Sequence, residues 1–231
     1  MNGDDLGWPG SAMAFLTALA EHNSRDWFTA NKPRYREAVA EPAARFLADL
    51  ATQLGESAGH PFDGRIFRLA RDMRFAKPGE LPYHPWLRMA FQARGQAGGC
   101  YLSIEPEDIR FGVGLIAFDK TQLTAWRSAV AGLAGNALGP VEAALVGAGW
   151  RVDPPQLRRT PRGFEGEGSA ARWLRHKQFC AWRDNRGCRF RSRAELQHWC
   201  VAAAEEARPL SKWLARHLPA GQCAESANRG G

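Results

Sequence analysis

No run of apolar residues in the chain approaches the roughly eighteen that a membrane-spanning helix needs, so no membrane partner is expected. The first residues, MNGDDLGWPG, carry two acids where a signal peptide would carry positive charge, and a cytoplasmic location is the expectation that follows. Cysteine is sparse and odd in number: five, at 100, 180, 188, 200 and 223, with no CxxC pair. A disulfide framework is not expected, and these thiols read as small buried hydrophobes. His176, Cys180, Cys188, His198 and Cys200 lack the tight spacing of a zinc site, so no metal is expected. The nucleophile-elbow, phosphate-loop and dinucleotide glycine motifs are all missing; Gly112-Val113-Gly114 lies in a strand pattern without a third glycine. Internal repeats are absent too. The cofactor, if there is one, stays unknown.

What is present is an ordinary globular composition. The 231 residues, 45% hydrophobic with nine Trp, suffice for one substantial core. The formal charge of +7 is unevenly placed. From Arg151 to Arg193 there are twelve Arg or Lys against four Asp or Glu, an excess of eight, which leaves the rest of the chain at minus one. Such an excess points to an anionic partner, either a phosphate-bearing small ligand or a nucleic acid. The plainer reading is a solvated Arg-rich surface. Trp173, Phe179, Trp182, Phe190 and Trp199 interleave with these cations, a composition suited to single-stranded nucleic acid, although Trp173 and Trp199 sit in patterns that read as core.

Residues 1–10 read as a loose terminus, with Trp8-Pro9 as an anchor. Ser11 starts a helix to His22, Ser24 caps a second turn, and a longer helical stretch runs from Pro33 to about Leu54, restarted at Pro42. From Leu87 to Phe118 the pattern alternates with period two in three short runs, the signature of an antiparallel meander. Asp119 caps another helix, Pro140 opens the next, and short strands are expected at Trp150–Val152 and His176–Arg183. Ser192 and Glu195 form a capping box, and Pro209 begins the last helix before a mobile tail at 219–231. Helices, then strands, then helices describe an α+β protein of one domain over 11–218, a meander flanked by N-terminal and C-terminal helices.

The chemistry concentrates in RIFRLARDMRFAKPGELPYHPW, from Arg65 to Trp86. Read as a helix, it lines up Ile66, Leu69, Ala70 and Met73; read as a strand, the favoured reading, it puts Phe67, Leu69, Met73 and Phe75 on one side and Arg68, Asp72 and Arg74 on the other. Arginine offers a charged planar fork for carboxylate or phosphate. Asp72 would be held ionised by such neighbours, either orienting an arginine or simply clamping a structural salt bridge. Tyr83 and His84 follow between two prolines, a phenol and an imidazole able to serve as an acid/base pair or to be plain polar surface. Lys32, near Trp27 and Tyr35, and Lys177, with Arg162 in the basic segment, are further cations that a pocket would recruit.

The chain also resembles the bacterial family known as domain of unknown function 2461, from Phe15 to about Leu218. The likeness rests on Phe15-Leu16, Asn23-Ser24-Arg25-Asp26-Trp27-Phe28, Asn31-Lys32, Tyr35 and Pro42. At the centre it rests on Phe67-Arg68, Arg71-Asp72-Met73-Arg74-Phe75 and Pro82-Tyr83. Further on it rests on Pro161-Arg162-Gly163-Phe164, Leu174-Arg175-His176-Lys177, Pro209-Leu210 and Trp213-Leu214. Where the family pattern has Ser-Lys-Asp-Lys after the Phe, this chain has Ala76-Lys77-Pro78-Gly79-Glu80-Leu81, one residue longer. His84 stands where the family has Lys. The resemblance implies a single α+β domain and no particular reaction. Taken together, these readings lead to a protein, enzyme or not, with an Arg-rich polar pocket for a small phosphorylated or carboxylated ligand. The alternative is a nucleic-acid-binding module using residues 151–193.

Overall fold

The computed structural model describes residues 7–164, 168–187 and 190–221. Most of the expected loose terminus and mobile tail, with Cys188 and Cys223, lies outside them. The fold is α+β: helices flank a six-stranded antiparallel sheet of order β1-β2-β3-β4-β6-β5. Its strands are β1 (Phe62–Ile66), β2 (Leu87–Ala93), β3 (Gly99–Ile104), β4 (Asp108–Leu115), β5 (Arg151–Val152) and β6 (Phe179–Arg186). The meander expected from the alternation is β2-β3-β4. Leu87, Met89 and Phe91 are buried on one face of β2, while Arg88 is exposed on the other. In the β5/β6 pair Arg151 lies opposite Trp182.

Internal contacts divide the chain into two compact units. One holds Met1–Phe91, Tyr101–Phe111 and Asp184–Glu205, the other Gln92–Cys100, Gly112–Arg183 and Glu206–Gly231, so far as these residues are described.

The first unit begins with α1 (Gly10–Glu21), α2 (Arg25–Ala30) and α3 (Lys32–Tyr35). Ser24 caps α2 as its sequence requires, its hydroxyl accepting from the Trp27 N–H at 3.2 Å. A π-helical turn, Arg36–Ala40, joins α3 to α4 (Glu41–Ala58). Pro42 has no N–H to donate, and the ladder widens just before it rather than breaking. Ala43, Phe46, Leu50 and Leu54 form the buried stripe of α4, and Gly59, at φ +78, ends it in the left-handed conformation. The ring of Phe46 meets Trp8 at 4.7 Å. Further along, α8 (Arg193–Glu206) sets Trp199 against Phe111, 6.2 Å away. Before α8 the Ser192 hydroxyl accepts from the Glu195 N–H, while the Glu195 carboxylate accepts from the Arg191 N–H rather than from Ser192.

The second unit is built around Trp126, fully buried on α5 (Lys120–Ala131). Its ring lies 5.1 Å from Phe118, 4.9 Å from Phe179 and 5.5 Å from Trp213, and its indole N–H donates to the Trp173 carbonyl at 2.9 Å. The expected Asp119 cap is a full capping box with Gln122. The next helix, α6, begins at Leu133 and runs to Gly147, so Pro140 lies inside it instead of opening it as the sequence suggested. Entry is set earlier, by the extended backbone of Gly132. Glu142, buried on α6, accepts from the Trp173 indole at 2.8 Å and from Arg172, a charge buried only because it is paired. α7 (Gly168–Trp173) and α9 (Arg208–His217) complete this unit. Glycine in β4 has a steric reason: a Cβ on Gly112 would stand 2.5 Å from the Trp182 ring.

His176 belongs to this core. It is fully buried, and its Nδ1–H donates to the Gln178 carbonyl at 3.1 Å. Burial pushes the imidazole down from 6.5 to about 4. Its folded value lies below its unfolded one, so between these pH values the unfolded chain binds more protons and stability rises with pH. The contribution is complete above pH 6.5 and fades as pH falls. Urea unfolding is expected to show about 2 kcal/mol of stability lost through this residue between pH 7 and pH 5, a loss absent from His176→Gln.

Candidate functional site

The strand expected over the central stretch covers less of it than its alternation suggests. β1 ends at Ile66, but the chain stays extended to Arg71 and pairs with the segment returning at 82–88. The Phe67 N–H donates to the Arg88 carbonyl at 2.9 Å, the His84 N–H to Leu69 at 2.8 Å and the Arg71 N–H to Pro82 at 2.8 Å, with Ala70 opposite Tyr83. Leu69 is buried. At Asp72 the chain turns: its carboxylate accepts from the Arg74 N–H at 3.2 Å, and its carbonyl from the Phe75 N–H at 3.1 Å. Met73 and Phe75, expected beside Leu69 on an apolar face, instead lie exposed on the tip of this hairpin.

The returning arm is held from outside by one side chain. The Asn23 carboxamide donates through Nδ2 to the Tyr83 carbonyl at 2.8 Å and accepts the Tyr83 N–H on Oδ1 at 3.0 Å. The Tyr83 ring stacks on Phe28 at 4.3 Å, and Phe28 meets Tyr35 at 5.2 Å. Burial raises the Tyr35 phenol above its ordinary value.

Because the arm is extended, neighbouring side chains point to opposite sides. Tyr83 goes to the aromatic cluster, while His84, Trp86 and Arg88 form a row on the other side. The His84 ring stacks on Trp86 at 4.5 Å, and the Arg88 guanidinium lies 4.1 Å from the Trp86 ring centre, a cation–π contact. Arg71, on the facing arm, donates from Nη2 to His84 Nδ1 at 3.1 Å. A guanidinium can only donate, so Nδ1 accepts and the ring proton sits on Nε2. Burial, then the charges of Arg71 and Arg88, lower the His84 pKa, against a smaller opposing pull from Glu80. His84 is therefore neutral at pH 7, its tautomer set by Arg71.

The rest of Arg71 is committed to structure. Its Nε donates to the Leu81 carbonyl at 3.1 Å, and Nη1 pairs with Glu80 at 3.3 Å. Arg74 forks onto Asp72 at 2.9 and 2.6 Å, and this bond first, with lesser pulls from Arg74 and Arg68, holds the Asp72 carboxyl down to about 2. Arg68 is exposed, its charge felt at Asp72. Arg88 is exposed to solvent but loses part of its hydration to the groups packed around it. Burial and the charge of Arg110 lower its pKa, while Glu105, which binds Arg110, opposes the shift.

The structure thus joins Arg71 to His84 and Arg74 to Asp72, but sends Tyr83 and His84 to opposite sides of the arm. Lys32 is exposed at the start of α3, and Lys177 is exposed in the second unit, its N–H donating to Gln156. In the basic segment Arg151 pairs with Asp153, Arg172 with Glu142, Arg183 with Glu206 and Arg193 with Asp49. Trp173 and Phe179 there are core residues. Among the described residues no three of His, Cys, Asp or Glu gather as a metal set. Among the same residues, no single helix is long and apolar enough to cross a membrane. A concavity of about 340 Å³ in the second unit, lined by Gly132, Asn136, Gly139, Ser169 and Trp173 among others, carries no charged side chain and does not suit an anion.

Sequence reasoning passed over Trp86, Arg88, Glu80 and the role of Asn23. Trp86 and Arg88 were readable by counting on in twos from His84; Asn23, sixty positions from its partner, carries no local signal.

A family model, "Conserved hypothetical protein (DUF2461)", matches residues 11–213. The chain belongs to that family. No curated protein and no solved structure matches it. The family match spans both arms of the hairpin and Asn23.

Asn23→Ala leaves a part-buried N–H and carbonyl of Tyr83 without their side-chain partner, which is expected to cost about 1–3 kcal/mol in urea unfolding. Thr17→Ala, on an exposed helical hydroxyl, should cost under about 1 kcal/mol by the same measurement.

Proposed function

We propose that the row His84, Trp86 and Arg88 binds a small phosphorylated or carboxylated ligand of the cytoplasm. His84 Nε2–H and the Arg88 guanidinium are the binding donors in this reading, and Arg68 adds positive field. Arg71 acts through His84 as a positioning residue. Arg74 is held by Asp72, whose carboxylate stays ionised and takes no part in proton transfer.

The observation that carries this reading is the state of Arg88. It lies against Trp86, losing part of its hydration to that packing while staying open to solvent, and Glu105, the carboxylate that pulls on it, is itself bound to Arg110. A cation in that position is stabilised by an incoming anion more than a solvated one would be. Beside it stands a neutral imidazole whose free proton is fixed by Arg71, a preorganised donor that needs no rearrangement on binding.

Titration calorimetry with inorganic phosphate and a panel of phosphorylated and carboxylated metabolites tests this. Saturable binding is expected, weakened about tenfold or more in Arg88→Ala, which removes a charge-assisted hydrogen bond at an exposed position. For a carboxylated ligand, whose charge is constant over this range, affinity should be flat from pH 8 to pH 7 and should rise at lower pH, where His84, held below its ordinary value, gains a proton and adds a cation facing the ligand. Unchanged affinity in Arg88→Ala would refute the assignment.

A further inference from the structure

The tip of the hairpin is not used by the binding row. Phe75 is 76% exposed, Leu81 51% and Met73 37%, three bulky apolar side chains within nine residues. This protrusion is internally braced rather than loose. Beyond the turn at Asp72, the Lys77 N–H donates to the Glu80 carboxylate at 3.0 Å and the Glu80 N–H to the Lys77 carbonyl at 3.0 Å. Gly79, at φ +87, stands at its far end, where an added Cβ would meet nothing within 4 Å. Arg71 ties the base through Leu81 and Glu80.

Charge accompanies the apolar groups. From Arg68 to Leu81 there are four cations and two acids. Both acids are paired within the segment, Asp72 with Arg74 and Glu80 with Arg71, so the excess of two positive charges sits on Arg68 and Lys77. The Arg74 guanidinium lies 5.7 Å from the Phe75 ring centre, so positive charge rims the most exposed apolar group.

We propose that this tip docks on an anionic lipid surface, with Phe75, Leu81 and Met73 entering the interface and Arg68 and Lys77 meeting lipid phosphates. Three features select this occupant. The exposed apolar area, on the order of 300 Å², is well below the roughly 1,000 Å² of a stable protein interface. The three side chains lie on one exposed turn with cations interspersed among them, suited to a deformable charged boundary. Two of the three apolar groups are aliphatic and offer no ring for a nucleic-acid base to stack on. Apolar penetration combined with local basic charge is what holds a peripheral protein to anionic lipid. The inference goes beyond the sequence, from which no membrane partner was expected, and shares Arg68 but no apolar residue with the small-ligand reading.

Sedimentation of the full chain with vesicles tests it. Binding is expected to an equal mixture of phosphatidylcholine and phosphatidylglycerol, but not to phosphatidylcholine alone, and is expected to weaken with added salt. The double variant Phe75→Ala, Leu81→Ala should lower the bound fraction about tenfold with an unchanged melting temperature, since both side chains are exposed. Its phosphate affinity should also match that of the unaltered chain, so this test and that of the binding row fail separately. No sedimentation with the anionic vesicles would overturn the proposal. So would equal sedimentation of the double variant, which would place the contact elsewhere, or a tip that binds a single-stranded oligonucleotide and no vesicles.

Discussion

The Asn23 carboxamide, gripping the N–H and the carbonyl of Tyr83 at once, is the constraint on which the site depends. It fixes the returning arm of the hairpin as extended chain against the N-terminal helices. Once that arm is extended, period two does the rest. Tyr83 must face Phe28, and His84, Trp86 and Arg88 must share the other side. The three facing backbone hydrogen bonds then bring Arg71 across to His84. The side chain of Asn23 thereby helps to set the tautomer of a histidine sixty-one residues later.

Electrostatics sort the arginines of the region into different tasks. Arg74 and Arg71 have acids beside them, and their charge goes into holding the turn and the base of the hairpin. Arg88 is different. It is stacked on an aromatic ring and partly desolvated, and the carboxylate that pulls on it, Glu105, is shared with Arg110. Sequence spacing, which set Arg65, Arg68, Arg71 and Arg74 at equal intervals, gives no hint of this division. It follows from which arginine has a carboxylate within reach.

Much of the fold was legible before the structure. The alternation from Leu87 onward identified the meander, Ser24 and Asp119 marked their helix starts, and Pro42 marked the joint that became a π-helical turn. The failures have physical causes. Alternation continues through Met73 and Phe75 although the backbone has already turned at Asp72, because apolar residues exposed on a tip look in sequence like the face of a strand. Pro140 sits inside α6 because an extended glycine, not the proline, sets that helix's start. At the site, Arg71, Asp72 and His84 were visible as residue types. Their partners were not, since the bonds that assign roles, Asn23 to Tyr83 and Arg71 to His84, join positions far apart along the chain.

The central claim is that His84 is neutral, kept so by burial and by Arg71, and that Arg71 fixes its proton on Nε2. Long-range nitrogen–proton correlation spectra of the histidine rings, on protein labelled with nitrogen-15, read this directly. At pH 7 His84 is expected as the neutral Nε2–H tautomer, switching toward the free-ring tautomer mixture in Arg71→Ala, with its Nε2 resonance moving when phosphate is added. A charged ring at pH 7, a proton on Nδ1, or a His84 signal indifferent to Arg71→Ala would contradict the account.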